Sequence, residues 1–449
     1  MTSTRRKFIR STSLGMAGFG ILGGIPMEVL ANFRKRVSPN DKIQLGLIGC
    51  KGMGFANLVS MLKLSEVELV ALCDVDKAVL SSRTADLEKA GIKKPKWYND
   101  YRDLLDDQDI DIVIIGTPDH WHCLQLCDAI SAGKDAYCEK PIANSIEECK
   151  IMLQTVDQND RMVQIGQWQR SQPHFVDAID FVHSGKLGEI RTVKAWAYQG
   201  WMKPVDIKPD GPVPDGVDYK MWLGPAPTRP FNPNRFHFNF RWFWDYAGGL
   251  MTDWGVHLMD YALYGMKASI PNSVTAMGGK FAYPNDAAET PDTLQTIFEY
   301  DNYSILWEHA TGISEGNFGR DHGIAFIGNN GTLILDRGGW EIVAEKEFQG
   351  WDKEGIDRME AVPLQSNQGS GLDLHTANFI SAVKSRDKAS LKAPIQVGYD
   401  TALVCHMGNI SFKTGSRINW NDDREKFSDK NANKLIGARY YNGWQLPKL

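Results

Sequence analysis

Ile43-Gln44-Leu45-Gly46-Leu47-Ile48-Gly49-Cys50-Lys51-Gly52-Met53-Gly54 is the stretch on which the fold turns. An apolar run reads as a buried strand, a glycine-rich turn follows, and Gly52 to Leu64 reads as a helix. A glycine turn between strand and helix is the dinucleotide-binding arrangement, usually written G-x-G-x-x-G. Gly49 and Gly54 occupy the outer positions of that fingerprint. The middle position is Lys51, with Gly52 beside it in the permissive role and Met53 completing the turn. Asp74 ends the next strand-like run, Val67–Cys73. An acid there accepts from ribose hydroxyls and repels a 2′-phosphate, which favours NAD over NADP.

Outward from this turn, strand and helix alternate. Strands are expected at 112–115, from Ala136, and at 163–165, with helices at 75–90, 122–132 and 145–159. Units of this length form a parallel, doubly wound sheet. After Gly166 the character changes. A helix is expected at 173–184, a strand at 190–198, one helix over 249–263, then strand-like runs from 273 to 343 with turn signals between them. Helices follow near 372–384 and 397–414, and the tail reads as an extended wrap. The expected fold class is therefore α/β. A Rossmann domain over 40–166 precedes an α+β domain over 167–449, which carries substrate contacts and a large, open, mostly antiparallel sheet. A broad apolar sheet face seeks cover, so a homo-oligomer is expected.

The 449 residues carry a net charge of −5 and no long basic run, which argues against nucleic-acid binding. Thr4-Arg5-Arg6-Lys7-Phe8-Ile9-Arg10 and the mildly apolar run to Ile25 read as a twin-arginine export signal, with linker, over residues 1–36. The expected partner during export is the twin-arginine translocase, and the expected location is the periplasm. The seven cysteines fit that route as buried thiols, because such proteins fold before export. Cys123 and Cys127 have no second close pair to complete a zinc site, and no metal is expected.

Ala136-Tyr137-Cys138-Glu139-Lys140-Pro141 places a lysine at a strand end, where open α/β sheets bind ligands. Asp253 and His257 lie four apart in an expected helix and so share a face. Six of the fourteen tryptophans fall between Trp196 and Trp254, which suggests ring-stacking platforms for a sugar. Trp168, Arg170, Tyr198, Trp201, Trp242 and Trp244 are the candidates for substrate binding.

With these motifs in place the chain resembles the Gfo/Idh/MocA oxidoreductase family. The glycine loop, Thr117-Pro118-Asp119-His120-Trp121-His122, Glu139-Lys140-Pro141 and Gly248 to His257 stand in the family's order. Asp218 to Pro225 is similar to an exported, sugar-linked branch. The resemblance implies that Thr117, Pro118 and His122, with His120 and Trp121 beside them, lie along the cofactor, and that Glu139 and Gln167 lie near the nicotinamide. It also implies that Lys140, Asp253 and His257 form the catalytic group, with Asp253 and His257 touching substrate.

The expected reaction is oxidation of a ring hydroxyl of a sugar or glycoside by tightly held NAD. The resemblance implies C3, a glycoside 3-dehydrogenase. Two alternatives stand beside it: a redox-neutral NAD-dependent glycosidase and a non-catalytic sugar-binding protein.

Overall fold

A computed structural model describes residues 42–448, so the export signal expected over residues 1–36 lies outside the described residues. The first layer is a six-stranded parallel sheet. Its elements are β1 (Ile43–Ile48), α1 (Gly52–Met61), β2 (Val67–Cys73), α2 (Lys77–Lys89), β3 (Lys96–Tyr98), α3 (Tyr101–Leu105), β4 (Ile112–Ile115), α4 (Asp119–Ser131), β5 (Asp135–Cys138), α5 (Ile146–Asp157) and β6 (Val163–Ile165). The strand order is β3-β2-β1-β4-β5-β6. The order in which strands are added reverses between β1 and β4, and ligands bind at such switch points. All four residues of β4 are buried, as a central strand covered on both faces requires. Sequence patterning misses β3 and α3. These elements are short, and Lys96 and Trp97 of the edge strand are exposed, which removes the apolar signal.

Beyond α6 (Pro173–His183) the chain enters a ten-stranded sheet at β7 (Ile190–Gln199). The aromatic segment 200–246 follows, with α7 (Tyr219–Leu223), and then α8 (Leu250–Asp253) and α9 (Gly255–Met266). The single helix expected over 249–263 is thus broken at Trp254. The remaining strands are β8 (Ser273–Gly279), β9 (Thr293–Glu299), β10 (Ser304–Thr311), β11 (His322–Gly328), β12 (Gly331–Asp336) and β13 (Gly339–Ala344), then the small hairpin β14 (Lys346–Glu347) and β15 (Ile356–Asp357), and β16 (Val362–Ser366). After α10 (Gly371–Ser385) and α11 (Ile395–Thr414) come β17 (Ile418–Asn421) and β18 (Lys426–Phe427). The sheet order is β16-β13-β12-β11-β7-β10-β9-β8-β17-β18, antiparallel except where β7 pairs with β10.

Segment 200–246 is not an open loop. Tyr219, Trp222, Phe231, Phe236, Phe240, Trp242 and Tyr246 bury one another in a separate aromatic core. The same segment is pinned to the first layer: Lys77 N–H donates to Gly216 O at 3.1 Å, and Asp218 N–H to Val75 O at 2.8 Å. Helix α10 also returns to that layer, where Phe379 and Ile380 share a core with Leu45 and Leu47 of β1. The tail wraps as expected. Trp444 meets Trp121 edge-on at 4.9 Å, and Tyr440 O–H donates to Glu148 at 2.8 Å. All seven cysteines are buried free thiols.

Candidate active site

The glycine turn leaves no room for a side chain at Gly49 or Gly54. A Cβ on Gly54 would lie 2.2 Å from the Gly49 carbonyl oxygen, and one on Gly49 would lie 2.7 Å from the Gly116 backbone. Gly49 and Gly52 both have positive φ, 84° and 49°, and beside Gly52 there is open space. Gly52 therefore takes the permissive role that Lys51 cannot. Helix α1 starts there with no side-chain cap and no acid in its first turn. That is an anion cradle by helix dipole and backbone donors. Met53 is half-buried in the same turn.

Asp74 accepts from Cys50 N–H at 2.8 Å and from Asp76 N–H at 3.0 Å. Burial raises its pKa to about 6, against the pull of those two donors. A carboxyl at this strand end and an uncapped helix start suit the ribose and pyrophosphate of a dinucleotide.

At the far end of the cleft, β5 delivers Glu139 and Lys140. Glu139 is buried and accepts from Asn57 Nδ2 at 2.6 Å; burial raises its pKa. The peptide bond between Lys140 and Pro141 is cis. His122 lies behind the turn, with its ring nitrogens each 2.8 Å from a carbonyl oxygen, those of Pro141 and Thr117. It thereby ties the ends of β4 and β5 together. Thr117 Oγ1 donates to Gln125 at 2.6 Å, and Pro118 caps α4.

Lys140 Nζ donates to the Asp253 backbone carbonyl at 2.8 Å and to its carboxylate at 3.0 Å. Arg241 Nε donates to the same carboxylate oxygen at 3.2 Å. Burial would raise the Asp253 pKa, but these two cations hold it below the ordinary carboxylate value. His257 is buried, and its pKa falls well below the usual value, first through burial and then through the charges of Lys140, Arg337 and His322. A neutral imidazole beside a fixed ammonium can take a proton. Gln167 reaches the same helix, donating to the Val256 carbonyl at 3.4 Å.

The cluster also contains residues that sequence reasoning missed. Asp119 is buried against Arg241, Asp253 and Lys140, and burial raises its pKa to about 8. Arg337 lies between two indoles, 5.0 Å from the Trp168 ring and 4.7 Å from that of Trp254. Asp119 stood inside a quoted motif. Arg241 and Arg337 carried no local signal: Arg241 sits in a short 3-10 helix of the aromatic segment (His237–Trp242), and Arg337 in the turn between β12 and β13.

Other candidates lie elsewhere. His120 and Trp121 are buried, and both meet the Trp222 carbonyl, at 3.1 and 3.0 Å, as anchors for α7. Arg170 is bound by both Nε and Nη2 to the buried Asp260, at 2.6–2.9 Å. Tyr198 packs with Trp196 in a separate cluster on the outer face of the sheet. Trp242 is interior to the aromatic core, and Lys413 Nζ sits 3.7 Å over Trp244. Trp201 is half exposed and lies 6.3 Å from Phe238. Of the proposed platforms, Trp168 reaches the neighbourhood of His257, through Arg337.

Comparison with known proteins bears on the family and the fold. The Gfo/Idh/MocA description "Oxidoreductase family, NAD-binding Rossmann fold" matches residues 43–167, and the family's C-terminal alpha/beta domain matches residues 158–301. The chain is 32% identical over 154 residues to a glycosyl hydrolase family 109 protein of Shewanella sp. (strain W3-18-1), covering 33% of this chain and 34% of that protein. A protein called alpha-N-acetylgalactosaminidase from Shewanella oneidensis is 33% identical over a stretch of the same length, again 33% of this chain and 34% of that protein. The matched stretch thus spans about a third of these curated relatives. Among solved structures, levoglucosan dehydrogenase in complex with NADH and levoglucosan superposes with a TM-score of 0.62 at 18% identity, over 84% of this chain and 99% of that one. The aldose-aldose oxidoreductase from Caulobacter crescentus complexed with glycerol gives 0.59 at 19%, over 84% and 99%. At such identities the likeness shows the fold. The two family descriptions together run over more than half the chain, from β1 into the second sheet, so it belongs to the Gfo/Idh/MocA oxidoreductase family, and its first domain is an NAD(H)-binding Rossmann domain.

Proposed function

We propose that this protein is an NAD-dependent enzyme that oxidises a ring hydroxyl of a sugar or glycoside, at C3, and keeps its cofactor through successive turnovers. The observation that carries the reading is Lys140 Nζ, fixed on Asp253 beside the neutral His257. Bound NAD supplies the hydride acceptor. The residues of the chain do the rest. His257 takes the hydroxyl proton, Lys140 stabilises the developing alkoxide, and Asp253 holds the ammonium and orients the hydroxyl. The sugar class is supported by the relatives' printed names. C3 follows from the family resemblance.

Export by the twin-arginine route to the periplasm belongs to this proposal, and it explains why the cofactor is retained: no free NAD pool serves an exported enzyme. A lysine pair replacing Arg5-Arg6 should leave the protein in the cytoplasmic fraction.

Identity to glycosyl hydrolase family 109 proteins favours a second reading, a redox-neutral glycosidase that uses the same oxidation as its first step. One experiment separates the two. The pure protein is denatured and released NAD(H) is assayed; the native protein is then titrated with methyl glycosides while nicotinamide absorbance is followed. The dehydrogenase accumulates reduced nicotinamide. The glycosidase releases free sugar and methanol without net reduction. A protein that releases no cofactor and does not act on added NAD would sink both.

A further inference from the structure

One histidine of the aromatic segment reaches back to the first domain and has no part in the chemistry above. His237 opens the 3-10 helix His237–Trp242 with a left-handed backbone, φ 54°, which costs a residue with a Cβ free energy. Its ring centre lies 3.8 Å from that of Phe236, and its Nε2 stands 3.0 Å from Asp76 Oδ2. Asp76 is buried just past β2, and its N–H donates to Asp74 at 3.0 Å. Asp74 in turn accepts from Cys50 N–H in the glycine turn, at 2.8 Å. The other end of the same 3-10 helix stands at the catalytic cluster. Arg241 Nε donates to Asp253 at 3.2 Å, the Arg241 carbonyl accepts from Gly249 N–H at 3.0 Å, and Asp253 holds Lys140 at 3.0 Å.

The two ends of this helix are therefore tied to different strands. Asp76 follows β2 and Lys140 follows β5, and in the sheet order β1 and β4 lie between those strands. Three strand spacings make about 14 Å. The four steps from His237 to Arg241 rise about 8 Å, and the two long side chains reach outward for the rest. The helix thus runs past the ends of β1 and β4, the switch point at which a dinucleotide binds. On its far side it is rooted in the aromatic core through Phe240 and Trp242, with Phe236 just before it. On the cofactor side there is room, since a Cβ on Gly52 would meet nothing within 4 Å. We propose that His237–Trp242 is a strap across the bound NAD, latched by His237 on Asp76 and hinged at Arg241, and that this strap keeps the cofactor in place between turnovers. The proposal rests on the cofactor retention proposed above and not on the sugar reaction. A latch of one side-chain hydrogen bond opens without disturbing the glycine turn. The backbone bonds from Lys77 to Gly216 and from Asp218 to Val75 keep the rest of the segment on the first domain while it does so.

The test uses the purified full chain with its own cofactor, and no sugar enters it. Release is followed by exchange of the bound cofactor against excess radiolabelled NAD. His237→Ala removes the latch and leaves the Arg241 end intact. It should speed release by roughly 10-fold, the worth of one hydrogen bond to a carboxylate. Uptake of NAD by protein stripped of cofactor on charcoal should speed up as well, because a strap obstructs both directions, whereas a plain ligand contact slows release alone. His237→Gln, whose amide nitrogen can reach Asp76, should bring both rates back towards those of the unaltered chain. In the unaltered chain the backbone amides of 237–242 should exchange with deuterium faster after stripping than with NAD bound. This last comparison needs no variant, and so decides the matter should His237→Ala fail to fold. Unchanged release in His237→Ala, faster release with unchanged uptake, or equal deuterium exchange with and without NAD would overturn the strap. If the unaltered chain loses its NAD on a desalting column, retention itself is wrong and the strap falls with it. Slow release from a protein that oxidises no sugar would leave the strap standing and remove the oxidation.

Discussion

Lys140 and Asp119 are two residues whose chemistry depends on what surrounds them. Lys140 is held by a carboxylate and a carbonyl of one residue, Asp253, so its charge is aimed and not free to swing. Removing a preorganised positive donor of this kind slows a reaction by roughly 100- to 1000-fold. Lys140→Ala should lose turnover on that scale in a stopped-flow assay of nicotinamide reduction. It should retain bound cofactor, because the glycine turn is untouched. Asp119 has a folded-state pKa of about 8, raised by burial. The folded chain thus binds a proton that the unfolded chain has already released above the ordinary carboxylate range. Stability from this group is present at low pH and lost as pH rises from about 4 towards 8. Asp119→Asn should flatten that decline, seen as a smaller fall in melting temperature between pH 5 and pH 8 than in the unaltered chain.

At the scale of elements, the cofactor cradle is a contact between three glycines. Gly49, Gly54 and Gly116 approach so closely that a methyl on any of them meets backbone, which cannot rotate away. Gly54→Ala should open the turn after β1, cutting both melting temperature and the nicotinamide released on denaturation. Gly52→Ala is the contrast. It has room, and is penalised only by its left-handed φ of 49°, a strain of about 1–2 kcal/mol. It should keep most of the cofactor. The break at Trp254 matters in the same way. It frees the Asp253 carbonyl for Lys140 and lets the Trp254 ring carry Arg337 on its face.

Over the whole molecule, the ten-stranded sheet has helices on one face; on the other a small cluster around Trp196 is covered, while apolar side chains of β8 and β9 stay exposed. Strand β9 alternates buried and exposed residues, with Ile297 49% exposed, and Met277 of β8 is 73% exposed. Apolar side chains on an open sheet suit burial against a second copy. Light scattering should report a mass above that of one chain, and Ile297→Glu should lower it without changing the melting temperature of the isolated chain by more than a few degrees. A single-chain mass at micromolar concentration would count against this assembly. Among the described residues no helix is long and apolar enough to cross a membrane.

Much of this was written locally in the chain. Strand β1, the glycine turn and Asp74 sit within 32 residues, and periodicity with glycine placement is enough to read a cofactor cradle there. Lys140 was legible as a charge at the end of an apolar strand. The partners that give it meaning were legible only in part. Asp253 and His257 stood out by spacing, whereas Arg241, Arg337 and His322 come from an aromatic segment, a hairpin turn and a strand start, with no local pattern to mark them. The same limit explains Arg170, Tyr198 and Trp242. Each is of the right type for sugar contact, but Asp260, the outer sheet face and the aromatic core take them away. Sequence alone determined the cofactor fold and the lysine at its edge, because those depend on neighbours within a few turns of chain. Tertiary structure decided which distant charges and rings surround that lysine, because long-range packing, not residue type, selects which side chains share a buried volume.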